Sequence, residues 1–131
     1  MSLPAGIQYY NVFGVRSSRY NQWEWIDYGQ NETVRNHGGA EIIVSILKYG
    51  YGNTTSATLD AVQGGPWFGA GSENRYVCGP LSNMYFCSPG ETVKGQIEYY
   101  KFTGKESGFF SASAYSIAAP YGGWNTSVYI K

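Results

Sequence analysis

The chain has 131 residues, of which 43% are apolar and 14% are charged. This length favours one domain, and the apolar content is too high for a disordered chain. Nine basic residues balance nine acidic residues, so the sequence lacks the basic surface typical of proteins that bind nucleic acid or anionic membranes.

The N-terminal segment "MSLPAGIQYY" has neither a basic region nor an apolar run, so it does not look like a classical export signal. No apolar run in the sequence approaches the length of a transmembrane segment. We therefore expect a soluble protein that is cytoplasmic or secreted by a non-classical route.

The rest of the chain consists of short apolar or alternating runs, which are typical of β-strands. Turns rich in Gly, Pro and Asn separate them, among them "YGYGN", "QGGP", "SPGE", "TGKESG" and "PYGG". The single candidate for a helix, "AEIIVSILKYG", is rich in β-branched residues and indicates a buried strand. The predicted strands are residues 7–15, 22–28, 41–49, 56–62, 74–78, 83–87, 94–103, 108–117 and 125–131. This succession predicts an all-β fold, an antiparallel β-sandwich of the jelly-roll or Ig-like type formed by residues 1–131 as one domain.

In the second predicted strand, "QWEWID", the alternation of a strand puts Trp23 and Trp25 on one face. Glu24 and Ile26 share the other face. Since one face must be the core, we expect the tryptophan face to be the core and Glu24 to lie on the outer face or in a groove.

Four short patterns occur twice in the same order, which indicates a degenerate repeat. Arg19-Tyr20 recurs at 75–76, and the tripeptide "ETV" also occurs twice. "SATLDAV" is similar to "SASAYSI", and "GGPWFGAGSENRYV" to "AAPYGGWNTSVYI". We predict two pseudo-repeated halves, about 7–62 and 63–131, that intertwine in one sandwich. The alternative is the mild self-similarity of any antiparallel protein.

If the repeat holds, the loops "PWFGAGSEN" and "PYGGWN" are equivalent, and each places an aromatic ring beside Gly and polar groups. A sugar offers an apolar C–H face and many hydroxyl groups, so a flat ring with amide or carboxylate side chains is complementary to it. "YGYGNTTS" repeats this pattern, and "YGQNET" contains it loosely. The alternative is that the tryptophans of these loops close the ends of the core. The candidate glycan-binding residues are Trp67, Glu73, Asn74, Arg75, Tyr121, Trp124, Asn125, Asn53 and Tyr51.

Cys78 and Cys87 flank a predicted hairpin, and the sequence leaves open whether they form a disulfide or remain free thiols. Two cysteines and the single histidine, His37, are too few for a structural zinc site, so we expect no metal and no other cofactor. His37 lies in "RNHGG", which predicts a turn or surface residue, and no pattern ties a nucleophile to it.

These observations favour a non-catalytic, lectin-like protein that binds glycans, in defence or cell-surface recognition, and that self-associates as a homodimer through aromatic patches. Three alternatives remain open. The first is a cytolysin-like protein that places Tyr and Trp at a lipid interface. The second is a small glycoside hydrolase that pairs Glu98 with Glu24 or Asp27. The third is a structural or protein-interaction module whose aromatic residues are all core or interface.

Overall fold

The computed structural model describes residues 6–69, 75–119 and 121–131. These residues form eleven β-strands and no helix. The strands are β1 (Tyr9–Ser17), β2 (Glu24–Trp25), β3 (Glu41–Tyr49), β4 (Gly52–Leu59), β5 (Val62–Gln63), β6 (Gly65–Pro66), β7 (Tyr76–Cys78), β8 (Tyr85–Phe86), β9 (Gly95–Thr103), β10 (Gly108–Ser116) and β11 (Gly123–Ile130).

The strands pair antiparallel in two sheets that enclose a common core, so the predicted all-β sandwich is confirmed. The large sheet has the order β2-β1-β3-β9-β7-β8, and β6 pairs with β9. The small sheet has the order β11-β10-β4-β5.

The predicted strand positions agree closely with the observed ones, with three exceptions, the first of which is strand 83–87, reduced to Tyr85–Phe86. The predicted strand 22–28 shrinks to the two residues of β2. The predicted strand 56–62 begins earlier, at Gly52, and ends at Leu59. It ends there because Asp60 and Ala61 adopt φ angles of 50° and 66°, which form a tight turn before β5.

The core between the sheets contains the inward residues of both layers. In the small sheet, burial alternates along the strand, as in β10, where Phe110, Ala112 and Ala114 point inward. In β3 of the large sheet, every residue after Glu41 is buried. A second apolar cluster therefore lies on the outer face of the large sheet, and its buried members are Leu47, Val77 and Ile97.

The strand order can be compared with the two pseudo-repeated halves that the sequence predicts. Strands β1–β3 and β6–β9 build the large sheet, whereas β4–β5 and β10–β11 build the small sheet, so each half contributes to both layers. "SATLDAV" and "SASAYSI" overlap the neighbouring strands β4 and β10. The segments 64–77 and 118–130, however, contribute strands to different sheets and do not occupy equivalent places. The repeat stays a prediction.

Candidate functional site

The structure separates the predicted glycan-binding residues. Trp67 and Arg75 lie on the outer face of the large sheet, where Arg75 Nη2 donates to Trp67 O at 2.8 Å. Trp124 and Asn125 lie in β11 of the small sheet. The two tryptophans line different depressions. Two predicted residues fall outside the described part of the chain: Glu73 and Asn74.

The structure also describes the remaining predicted residues, Asn53, Tyr51 and Tyr121. Asn53 is opposite Tyr115 within the small sheet, so its assignment to a loop is wrong, because β4 already begins at Gly52. The same correction applies to Trp124 and Asn125, because β11 begins at Gly123. The Tyr51 hydroxyl donates to a backbone carbonyl, Val93 O, at 2.9 Å. Tyr121 is 76% exposed.

An open groove lies along the seam where β1 of the large sheet meets β11 of the small sheet. It is lined by residues 8–11, 28–31 and 124–127, has a volume of about 560 Å³, and is called the seam groove below. Thr126 ties its two strands together, since its Oγ1 accepts from Val12 N at 3.0 Å and donates to Asn11 Oδ1 at 3.2 Å. The groove therefore has rigid strands for its floor and the 28–31 turn for one wall.

Four aromatic residues line the seam groove, Tyr9, Tyr10, Tyr28 and Trp124, and they differ in exposure. Tyr28 is 80% exposed and lies 5.9 Å from the Tyr9 ring, centroid to centroid. Trp124 is half-buried and packs against the core. Tyr9 is partly buried, and burial, with a smaller contribution from Tyr28, raises the pKa of its hydroxyl above the ordinary value.

Amide side chains surround these rings, and several are held in place. Gln30 Oε1 accepts from Asp27 N at 3.0 Å and its Nε2 donates to Glu32 O at 2.8 Å. Asn125 Oδ1 accepts from Ser113 Oγ at 2.7 Å, which leaves the amide NH₂ group to donate outward. Among the described lining residues, none is charged. The amide residues of the groove are Gln8, Asn11, Gln30, Asn31 and Asn125.

A second depression, of about 340 Å³, lies on the outer face of the large sheet. Trp67 meets the rings of Trp23 and Tyr99 there at centroid distances of 6.0 and 5.5 Å. Trp25 stacks on Trp23 at 5.9 Å and is 59% exposed. Arg16 is the charged residue in the described lining. This depression is called the tryptophan cleft below.

The expectation that the tryptophan face of "QWEWID" is the sandwich core is wrong. Ile26 enters that core, whereas Trp23 and Trp25 cover the outer face of β1. Gly14 allows this, because a Cβ there would lie 3.0 Å from the Trp25 ring and 3.2 Å from the Trp23 ring. Since the outer face of the large sheet is itself apolar, burying indole rings against it is favourable.

A third depression, of about 420 Å³, adjoins the tryptophan cleft and shares Phe13 and Phe86 with it. Its floor is the buried cluster Leu47, Val77 and Ile97. The hairpin between Cys78 and Cys87 supplies much of its wall, and a disulfide joins these two residues. Of the two states left open by the sequence, the structure therefore has the disulfide. We call this depression the hairpin pocket.

His37 lies in an irregular segment between strands, but the expectation of a surface position is wrong, because its side chain is fully buried. Its Nε2 lies 3.0 Å from Glu24 Oε1, and its Nδ1 lies 2.9 Å from Ser17 Oγ. A carboxylate only accepts, so Nε2 donates to Glu24, and Nδ1 is left to pair with the Ser17 hydroxyl. Ser17 is itself buried, so this chain of hydrogen bonds ties the 18–40 segment to β1.

Glu24 anchors the other end of that network. Its carboxylate accepts from the backbone N–H groups of Val34 and Arg35 at 2.6 and 3.0 Å. Burial alone would raise the pKa of Glu24, but these bonds and His37 outweigh it and hold the pKa below its ordinary value. Residues 17, 24 and 37 carry no spacing motif, so no sequence pattern indicated this cluster.

Glu98 lies in a separate network on the inner face of β9. It accepts from Thr54 Oγ1 at 2.5 Å and lies 3.8 Å from Lys48 Nζ. Burial and the nearby Glu98 carboxylate raise the pKa of Tyr100 to about 12. Within the described part of the chain, Glu98 and Glu24 share no hydrogen-bond partner. In the large sheet, β1 and β3 separate β2, which carries Glu24, from β9, which carries Glu98.

The described residues lack two other kinds of feature. No group of three or more His, Cys, Asp or Glu side chains among the described residues is arranged to hold a metal ion. The described ranges also contain no helix that is long and apolar enough to cross a membrane.

Comparison with known proteins places the chain in a family. Comparisons with curated proteins and with solved structures found no match. A family model described as "Domain of unknown function (DUF4879)" matches residues 4–130. Because this match spans almost the entire sequence, the chain belongs to the DUF4879 family.

Proposed function

We propose that this chain is a non-catalytic carbohydrate-binding protein and that the seam groove is its binding site. One observation carries the proposal: aromatic rings and five amide side chains line the same open groove, and none of the described lining residues is charged. A neutral saccharide matches this chemistry, since its C–H face packs on a ring while its hydroxyl groups exchange hydrogen bonds with amides.

The groove is also preorganised for such a ligand. Gln30 is fixed by two hydrogen bonds to the backbone, and Asn11 both donates to Val12 O and accepts from Thr126. Side chains that are already ordered lose little conformational entropy when they bind. Tyr28, exposed at the rim, supplies a flat ring at the entrance.

Two expectations on context form part of this proposal. An open site binds weakly by itself, so we expect self-association as a homodimer to add avidity, which light scattering on a sizing column can check. Disulfides persist in oxidising compartments, so the Cys78–Cys87 bond favours secretion over a cytoplasmic location.

The test is a glycan array followed by titration calorimetry on the strongest hit, with wild type and Tyr28→Ala. Loss of one stacking ring should weaken binding about tenfold. Tyr28 is the better target than Trp124, because its exposure means that truncation leaves the fold intact. Tyr115→Ala is the matched control, since Tyr115 is an exposed tyrosine outside the groove.

Three outcomes would contradict the proposal. A folded wild type that binds no glycan removes it. Loss of binding in Trp67→Ala but not in Tyr28→Ala would move the site to the tryptophan cleft. Reducing-sugar release that disappears in Glu98→Gln would show a hydrolase instead.

A further inference from the structure

The tryptophan cleft and the hairpin pocket form a second, chemically different surface. The hairpin pocket is predominantly apolar: its floor residues Leu47, Val77 and Ile97 are each at most 4% exposed. Its volume of about 420 Å³ lies within the range of roughly 300–1,000 Å³ typical of small-molecule sites. Phe13 and Phe86 form a common wall with the tryptophan cleft, so one ligand can reach both depressions.

The tryptophan cleft adds a positive charge beside this apolar pocket. Arg16 lines the cleft, and its Nε and Nη2 contact Asn21 Oδ1 at 3.2 and 2.9 Å. That contact orients the guanidinium and leaves other N–H groups of its five to donate. In the described ranges, no carboxylate lies within ion-pair distance of Arg16, and none lines either depression.

From this juxtaposition we propose that the two depressions bind a single-chain amphiphile with an anionic carboxylate head. Its alkyl chain enters the hairpin pocket and its head lies in the tryptophan cleft, where Arg16 donates to it. Charge complementarity selects the anion. The hydrogen bonds that the guanidinium donates to a carboxylate are strengthened because the neighbouring apolar wall has a low dielectric constant.

The shape of the site favours a free amphiphile over a bilayer surface. The apolar floor of the hairpin pocket is almost fully buried, and Met84 and Phe86 line the same pocket. A flat membrane surface would contact the exposed rims without reaching that floor. A single inserted chain does reach it, and it displaces water from apolar side chains.

The test uses decanoate, decanol and decyltrimethylammonium, each below its micelle concentration, with tryptophan fluorescence and calorimetry as readouts. Decanoate should bind saturably at one site, decanol more weakly, and decyltrimethylammonium least. From octanoate to decanoate, affinity should rise by up to about fourfold per methylene. Equal affinity for decanoate and decyltrimethylammonium, or no saturable binding of decanoate, would overturn the proposal.

Variants distinguish binding of the carboxylate head from binding of the alkyl chain. Arg16→Gln should weaken decanoate binding about tenfold and leave decanol binding unchanged, with Arg19→Gln as a surface control. Met84→Glu should abolish binding of both probes, whereas Ile117→Glu, at an exposed position outside both depressions, should not. An unaltered decanoate affinity in folded Arg16→Gln contradicts the assigned role of the arginine.

Two further measurements distinguish a free amphiphile from a membrane surface and test whether this site is independent of the seam groove. Sedimentation with phosphatidylglycerol vesicles without decanoate binding would indicate a membrane surface and overturn the proposal. Glycan binding at the seam groove should be the same in wild type and Arg16→Gln, so either proposal can fail without the other.

Discussion

The outer faces of the two sheets differ in chemistry, although both sheets cover the same core. On the small sheet, the outward positions are mainly hydroxyl and amide side chains: Asn53, Ser56, Thr58, Ser111, Ser113, Asn125 and Ser127. On the large sheet, the outward positions of β1, β3 and β9 are mainly apolar or aromatic: Phe13, Leu47, Ile97 and Tyr99.

This difference shows how depressions arise on a sandwich. A polar outer face is satisfied by water and needs no cover. An apolar outer face needs cover, which here comes from Trp23 and Trp25, from Trp67 and from the disulfide-closed hairpin. Because this cover consists of separate pieces, the tryptophan cleft and the hairpin pocket remain between them.

The largest expected effect tests the small sheet. Phe110 is fully buried and meets Phe102 edge to face at 5.9 Å, so Phe110→Ala should lower the free energy of unfolding by about 3–5 kcal/mol. Tyr115→Ala, on the outer face of the same strand, should change it by no more than about 0.5 kcal/mol. Urea denaturation measures both, and similar losses would mean that the outer face is also packed.

The next effect tests the large sheet. Leu47 points outward from β3 yet is buried, so Leu47→Ala should lower the free energy of unfolding by about 2–4 kcal/mol. Ile46→Ala, which faces the core, should give a loss of the same size. If Leu47→Ala costs much less in the same urea assay, the outer cluster does not stabilise the fold.

A somewhat smaller effect tests the disulfide-closed hairpin that covers part of the outer face of the large sheet. The disulfide joins residues nine apart in sequence, and removing a loop of that size with Cys78→Ala and Cys87→Ala together should cost about 2–3 kcal/mol. Thermal unfolding of wild type with and without reductant is the control, since reduction should reproduce most of the loss. A double variant as stable as wild type would show that the hairpin holds without the bond.

The smallest effect concerns the loss of folding stability at acidic pH. The folded pKa of Glu24 lies below its ordinary value of 4.5, so the ionised form stabilises the fold above that pH. This contribution is lost as the pH falls from about 4.5 through the folded pKa. Glu24→Gln should flatten this loss in denaturation curves measured against pH, whereas Glu32→Gln, at an exposed position, should not. An unchanged acid slope in Glu24→Gln would assign the loss to other carboxyl groups.

The sequence predicted the strands better than the site. The alternation of "GFFSASAYSI" gives β10 and its buried face directly, since apolar and polar residues alternate with the period of a strand. The prediction for "QWEWID" was wrong because the outer face of the large sheet is itself apolar. An apolar ring on such a strand does not indicate which face is the core. Of the residues that line the proposed seam-groove site, the sequence singled out Trp124 and Asn125, and noted "YGQNET" only loosely. It gave no sign that residues 8–11, 28–31 and 124–127 line one groove.

By itself, then, the sequence determined the all-β class, the approximate strands and the turns between them, because backbone alternation and turn chemistry are local properties. Only the tertiary structure decided which residues come together: Tyr28 and Trp124 line one groove, His37 bonds to Ser17 and Glu24, and Arg16 lines the same cleft as Trp23, Trp25 and Trp67. These groupings join residues from separate strands and turns, and sheet order, register and the two-sided burial of β3 create them.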